Sequence, residues 1–143
     1  MNVEPITASP WVIAALGASA TLAIVGPVVA ALLLVRRSGA SLVVAAAGAG
    51  VFFVSQIVLR FPWQIPLGIW LGPRIAGSSA LTTAWLGASA LTAALFEEVG
   101  RWAGYRWLVP KARTYDEALV YGVGHGGIES ILLVGLGLAA SAT

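Results

Sequence analysis

Long apolar stretches separated by short groups of charged residues form the dominant pattern of this chain. No Asp, Glu, Lys or Arg occurs between Glu4 and Arg36, nor in residues 38–59 or 75–96. A membrane-spanning helix needs about 20 apolar residues, because the hydrocarbon core is ~30 Å thick and each helical residue rises ~1.5 Å. The pattern therefore predicts four membrane spans, at about residues 11–35, 40–59, 78–109 and 115–140.

A further apolar stretch, residues 61–73, is too short to span a bilayer. It contains three prolines together with Trp63 and Trp70, and aromatic rings are enriched at the level of the lipid headgroups. The pattern predicts a short interfacial or re-entrant segment. Arg60 and Arg74, which flank the segment, are predicted to snorkel to the interface.

Composition supports a membrane protein. Only 14 of the 143 residues are charged, which is 10%, and 59% are apolar, whereas a soluble domain carries about 25% charged residues. We expect an all-α, polytopic membrane helical bundle that forms a single transmembrane domain over residues 1–143, with the lipid bilayer as its first partner. A net charge of +2 on scattered basic residues argues against nucleic-acid binding, and the absence of cysteine excludes disulfides and thiol chemistry.

The basic residues also predict an orientation, because short cytoplasmic loops are enriched in Lys and Arg. Five basic residues follow the first and third spans, and two lie on the other side of the membrane. This distribution places both termini outside a membrane that we expect to be the bacterial plasma membrane. The five residues are Arg36, Arg37, Arg106, Lys111 and Arg113.

The loop after the third span has a defined local pattern. Pro110 ends the third span, and Thr114 with Glu117 matches a Ser/Thr-x-x-Glu capping box. The fourth span is therefore predicted to begin near Tyr115. We expect the third and fourth spans to form an antiparallel helical hairpin closed by residues 110–113.

Five ionisable residues lie within this predicted hairpin, where burial in the membrane is costly and usually functional. Glu98 lies 11 residues before Val109, and His125 lies 10 residues after Tyr115. At ~1.5 Å per residue both are ~15 Å from the turn, so they are predicted to lie at one depth. The five residues are Glu97, Glu98, Arg101, His125 and Glu129.

These residue types suit several functions. Glu97 and Glu98 lie four and three residues before Arg101, and His125 and Glu129 share one helical face. His125 and Glu129 are candidate ligands for Zn²⁺, and a glutamate of the third span is a candidate general base for a water molecule. A buried ion pair that fixes helix packing and a proton relay are the alternatives that the residues leave open.

Two segments resemble a known family. Phe96-Glu97-Glu98-Val99-Gly100-Arg101-Trp102 and Tyr121-Gly122-Val123-Gly124-His125-Gly126-Gly127-Ile128-Glu129 are similar to the YhfC family of intramembrane metalloproteases, within the superfamily of CPBP, PrsW and type II CAAX proteases. The chain resembles a short or truncated member of that family.

The resemblance implies a membrane-embedded peptidase that hydrolyses a peptide bond in or near the membrane. Glu97 would activate water, and Glu98 and Arg101 would shape the catalytic site. His125 would bind the metal or contact the oxyanion, and Glu129, its partner on the same helix, would be the second metal ligand. The expected partner is a membrane-associated peptide or protein substrate, and a homo-oligomer would be one way to complete the site. A catalytically inactive binding or accessory protein and a small transporter or proton relay are the alternative functions.

Overall fold

The computed structural model of the protein describes residues 9–141, and all regular structure in that range is helical. Four helices are long and apolar enough to cross a membrane, so the predicted all-α polytopic bundle is confirmed. We call them helices 1 to 4: Pro10–Ser38, Leu42–Ala76, Ser79–Leu108 and Tyr115–Ser141. Three stretches have π-helical hydrogen bonding: Phe53–Arg60 in helix 2, Gly104–Leu108 in helix 3 and Ser130–Gly135 in helix 4.

Local sequence signals set the ends of the helices. Helix 1 ends at Gly39, which adopts the left-handed conformation (φ 72°) that glycine tolerates best, and the Gly39 amide donates to the Val35 carbonyl. Ser41 and Ser78 cap the N-termini of helices 2 and 3, because their hydroxyls accept backbone amides of the first turn.

The predicted capping box at the start of helix 4 is confirmed. The Glu117 amide donates to the Thr114 hydroxyl at 3.3 Å, and the Thr114 amide donates to the Glu117 carboxylate at 3.0 Å. The Arg113 amide donates to the same carboxylate. These bonds satisfy free amides at the helix start and fix where helix 4 leaves the loop.

Residues 61–73 are not a separate re-entrant segment, which corrects the prediction from the sequence. They are helical and continue helix 2 without a break, with Pro66 and Pro73 inside the helix. Directly before Pro62 the Phe61 amide donates to the Gln56 carbonyl, a wider turn of the kind that lets a membrane helix continue through proline. Helix 2 is ~52 Å long, more than the ~30 Å hydrocarbon core, so an interfacial position for its second half stays a prediction.

Helix 4 lies between helices 1 and 2, and helix 2 also packs against helix 3. Helices 2 and 4 approach so closely that a Cβ atom on Gly124 would lie 2.0 Å from the Ala45 carbonyl oxygen. On the adjacent face of helix 4, toward helix 1, Gly127 packs against Pro27, and the Ser130 hydroxyl donates to the Ala23 carbonyl at 3.0 Å. Small residues thus position helix 4, which carries the histidine.

The outer surface of the bundle is apolar. Trp11, Leu22 and Leu91 expose 84%, 74% and 71% of their surface. Large exposed apolar surfaces are unfavourable in water but suit contact with lipid chains. The described residues therefore have the surface expected of a protein whose helices face a bilayer.

Candidate functional site

His125 lies in the interior of the bundle, on the face of helix 4 that packs against helix 2. Only 4% of its surface is exposed; neither ring nitrogen makes a well-formed hydrogen bond among the described residues, and the Gly48 backbone of helix 2 is at most a weak acceptor for the ring. The Phe52 ring contacts the imidazole edge to face, with centroids 5.3 Å apart. Because a buried polar group without a partner is costly, it marks a position for a ligand, a water molecule or a substrate.

Two tyrosines extend from His125 toward the loop between helices 3 and 4. The Tyr121 ring lies parallel to the imidazole, with centroids 6.5 Å apart, and stacks on Tyr105 at 4.4 Å. The Tyr121 hydroxyl is buried, has no partner among the described residues and lies against Gly104. A second unpartnered polar atom therefore lies one helical turn from His125.

The acidic and basic residues of helix 3 divide into two environments. Glu98 pairs with Arg101 on the surface of the helix, where 70% of the Glu98 side chain is exposed. Glu97 is half-buried, and its charge, like that of Arg101, acts on both His125 and Glu129. The structure thus brings Glu97 and Arg101 within electrostatic reach of both His125 and Glu129, while the exposed Glu98 acts on His125 alone of these two.

Helices 3 and 4 do not form the closely packed hairpin that the sequence predicts. They meet near the loop, where Tyr105 stacks on Tyr121, but farther from the loop helix 2 packs against both of them. Val51 contacts Gly100 on helix 3, and Phe52, the next residue, contacts His125 on helix 4. The small-residue contacts of helix 4 are with helices 2 and 1 rather than helix 3: Gly124 packs against Ala45, and Gly127 packs against Pro27.

The predicted metal site is incomplete within residues 9–141. No group of three His, Cys, Asp or Glu side chains in that range comes together to hold a metal ion. A catalytic zinc site commonly uses three protein ligands. His125 offers a free imidazole nitrogen, but the carboxylates present do not converge on it closely enough to fit a complete zinc site.

The sequence did not predict a polar network that connects helix 2 to helix 3. Arg60 donates to the Gln56 side chain and to the Ser89 carbonyl, each at 2.8 Å, and Gln56 donates to the Ala93 carbonyl at 3.1 Å. Arg60 is 8% exposed, so the prediction that it snorkels to the interface is wrong. The signal that would have found it is the four-residue spacing of Gln56 and Arg60, which places both on one helical face.

The network also locates Glu97. Ser89 and Ala93, whose carbonyls accept from helix 2, are spaced by four residues, and Glu97 is the next residue in that series. Residues four apart share one face of a helix. Glu97 therefore lies on the side of helix 3 that helix 2 covers.

The apolar helices, the buried histidine and the nearby carboxylates are features of one class of protein. This class is the polytopic helical membrane proteins with a polar site in their interior. The chain belongs to the YhfC intramembrane metalloprotease family, whose sequence profile matches residues 21–143. It is similar to the Uncharacterized membrane protein YhfC of Bacillus subtilis (strain 168), with 33% identity over 102 residues, and this aligned part is 71% of the chain and 39% of the relative. The chain thus spans well under half the length of that curated relative, and no solved structure matches it.

Proposed function

We propose that this chain is a membrane-embedded peptidase that hydrolyses a peptide bond in or near the bilayer. The observation that supports this proposal most directly is His125, a buried imidazole that makes no well-formed hydrogen bond among the described residues and lies within reach of the charges of Glu97 and Arg101. Membership of a family described as intramembrane metalloproteases supports the same reaction.

In the proposed reaction the Glu97 carboxylate takes a proton from water while the water oxygen attacks the carbonyl carbon of the peptide. The negative charge that develops on the carbonyl oxygen is stabilised by Arg101 and by a donor nitrogen of His125. Glu97 then passes its proton to the leaving amine, so that the products are a carboxylic acid and an amine. Glu98 holds Arg101 in place, and Glu129 is the polar neighbour of His125 on helix 4.

The metal that the family description implies is not part of this sequence of steps. Zn²⁺ would polarise the carbonyl or activate the water, and His125 and Glu129 are the residues that we proposed as ligands. Since the donor groups of residues 9–141 do not form a three-ligand site, a metal would need donors from elsewhere, such as a second copy of the chain.

The localisation that we propose is the bacterial plasma membrane, with both termini outside. The basic residues that follow helices 1 and 3 support this orientation. The polar site would then open toward the cytoplasmic side.

The function can be tested with a set of membrane-anchored reporter peptides in proteoliposomes, with fragments identified by mass spectrometry. We expect the wild-type chain to produce fragments that are absent from empty liposomes, and His125→Ala to lower the rate by about 100-fold, as for loss of an oxyanion donor. His125→Asn, which keeps a polar side chain, controls for folding. Cleavage no greater than in empty liposomes, or equal cleavage by wild type and both variants, would contradict the proposal.

The alternative is a binding or accessory membrane protein whose polar residues stabilise the bundle. The incomplete set of metal donors within residues 9–141 favours it. The reporter assay, read together with thermal melting, separates the two functions. Cleavage by the wild type that is lost in a folded His125→Ala variant would support the peptidase, whereas no cleavage by the wild type and a large fall in the melting temperature of His125→Ala would support the structural role.

A further inference from the structure

Arg60 lies in an unusual environment for a cation. More than nine-tenths of the residue is buried, and its Nε atom has no hydrogen-bond partner among the described residues. The two terminal nitrogens are held by Gln56 and by the Ser89 carbonyl, which fixes the direction of the guanidinium. Glu97 is the acid whose charge acts on Arg60, but the ion pair found among the described residues joins Arg101 to Glu98 instead.

A second unpartnered group lies beside the guanidinium. The Ser89 hydroxyl is buried and has no hydrogen-bond partner within residues 9–141, and the carbonyl of the same residue accepts from Arg60. The Arg60 Nε atom and the Ser89 hydroxyl are thus two unpartnered donors on residues that are hydrogen-bonded to each other across helices 2 and 3. A buried positive charge without an anionic partner is unfavourable, and a guanidinium with a neighbouring hydroxyl is suited to bind an oxyanion.

The depth of the two residues indicates where the oxyanion comes from. Arg60 follows Leu42, the first residue of helix 2, by 18 residues, and Ser89 precedes Leu108, the last residue of helix 3, by 19 residues. At ~1.5 Å per residue both lie ~27 Å from the membrane face that carries the basic loops. Because the hydrocarbon core is ~30 Å thick, they are near the opposite headgroup layer, where lipid phosphates lie.

The surface next to Arg60 suits a lipid chain. Leu59, the residue before Arg60, lines one end of an apolar groove of about 640 Å³ between helices 2 and 3. The groove continues along Leu95 and Val99 to Trp107 and Leu108 near the basic loop. It follows helix 3 for about 13 residues, ~20 Å, and so offers an acyl chain a path from the headgroup layer into the bilayer.

We infer that Arg60 and Ser89 form a binding site for the phosphodiester of a membrane lipid, with one acyl chain of that lipid in the groove between helices 2 and 3. Neither residue belongs to the His125 cluster, although the charge of Glu97 acts on Arg60, and lipid binding can be measured without any assay of hydrolysis. The bound lipid would contact both helices and so contribute to the packing of helix 2 against helix 3.

Native mass spectrometry of the purified full chain in neutral detergent tests the site with three probes. They are phosphatidylglycerol, a diacylglycerol with the same chains, and glycerol phosphate. We expect phosphatidylglycerol to bind at least about tenfold more tightly than either part alone, because charge and apolar contact both contribute. Equal binding of diacylglycerol would overturn the phosphate site, and equal binding of glycerol phosphate would overturn the lipid assignment.

Single substitutions test whether Arg60 and Ser89 bind the lipid. Arg60→Gln should weaken phosphatidylglycerol binding about tenfold and Ser89→Ala a few-fold, while Arg74→Gln should leave it unchanged, because Arg74 lies over the Trp70 ring outside this network. If Arg60→Gln does not fold, as judged by thermal melting, Arg60→Lys and Ser89→Ala still test the assignment. The inference is wrong if Arg60→Lys and Ser89→Ala both fold and bind phosphatidylglycerol as tightly as the wild type.

Discussion

Replacing Glu97 by glutamine should lower the rate of peptide-bond hydrolysis by at least about 100-fold, the usual contribution of a general base. Glutamine has nearly the shape of glutamate and keeps a hydrogen-bonding group, but it cannot take a proton from water. Glu97 lies on the face of helix 3 that helix 2 covers, and its charge acts on His125 and Glu129. The loss should therefore appear in the chemical step and not in the folding of the bundle.

Glu98→Gln is the matched control, since it makes the same change at the adjacent position. Glu98 is 70% exposed and pairs with Arg101 on the helix surface, so we expect less than about tenfold loss, in keeping with the small energy of an exposed ion pair. Both variants are compared with wild type in the reporter assay, after thermal melting has shown that they are folded. Equal losses in the two variants, or no loss in Glu97→Gln, would rule out Glu97 as the base.

Part of the arrangement of the polar residues follows from the sequence, because helix geometry converts sequence spacing into position. Counting residues from the loop predicts the third-helix acids and His125 at similar depth, and in the structure Glu97 and Arg101 act on both His125 and Glu129; their roles in a catalytic site stay a prediction. The intervening helix was not predictable, because depth along the membrane says nothing about which helices are neighbours. That choice depends on the glycine contacts of helix 4 with helix 2, which involve residues far apart in the chain.

The buried position of Arg60 was also not predictable from the sequence. A basic residue at the end of an apolar run has the same pattern whether it faces headgroups or the interior. Here Gln56 and two backbone carbonyls of helix 3 stabilise the interior position. The prolines of residues 61–73 were also misleading. The π-helical stretch Phe53–Arg60 lets helix 2 continue into Pro62, and Pro66 and Pro73 lie inside the helix that follows.

Gly124→Ala should destabilise the bundle by about 2 kcal/mol or more, because overpacking a tight contact costs about 1–3 kcal/mol and here the obstacle is backbone. The added Cβ would lie 2.0 Å from the Ala45 carbonyl oxygen and 2.7 Å from the Ala45 carbonyl carbon. No rotation of a side chain relieves that overlap, so helices 2 and 4 must separate. The same movement would shift His125, which lies one residue farther along helix 4.

Gly122→Ala and Gly126→Ala provide controls on the same helix with the same chemical change. A Cβ at either position meets nothing within 4 Å, and alanine favours helix by up to about 1 kcal/mol over glycine. We therefore expect both controls to melt at or slightly above the wild-type temperature in detergent, as followed by circular dichroism, and Gly124→Ala to melt well below it. A wild-type melting temperature for Gly124→Ala, or an equal fall in all three variants, would show that the close approach of helices 2 and 4 does not determine the stability of the bundle.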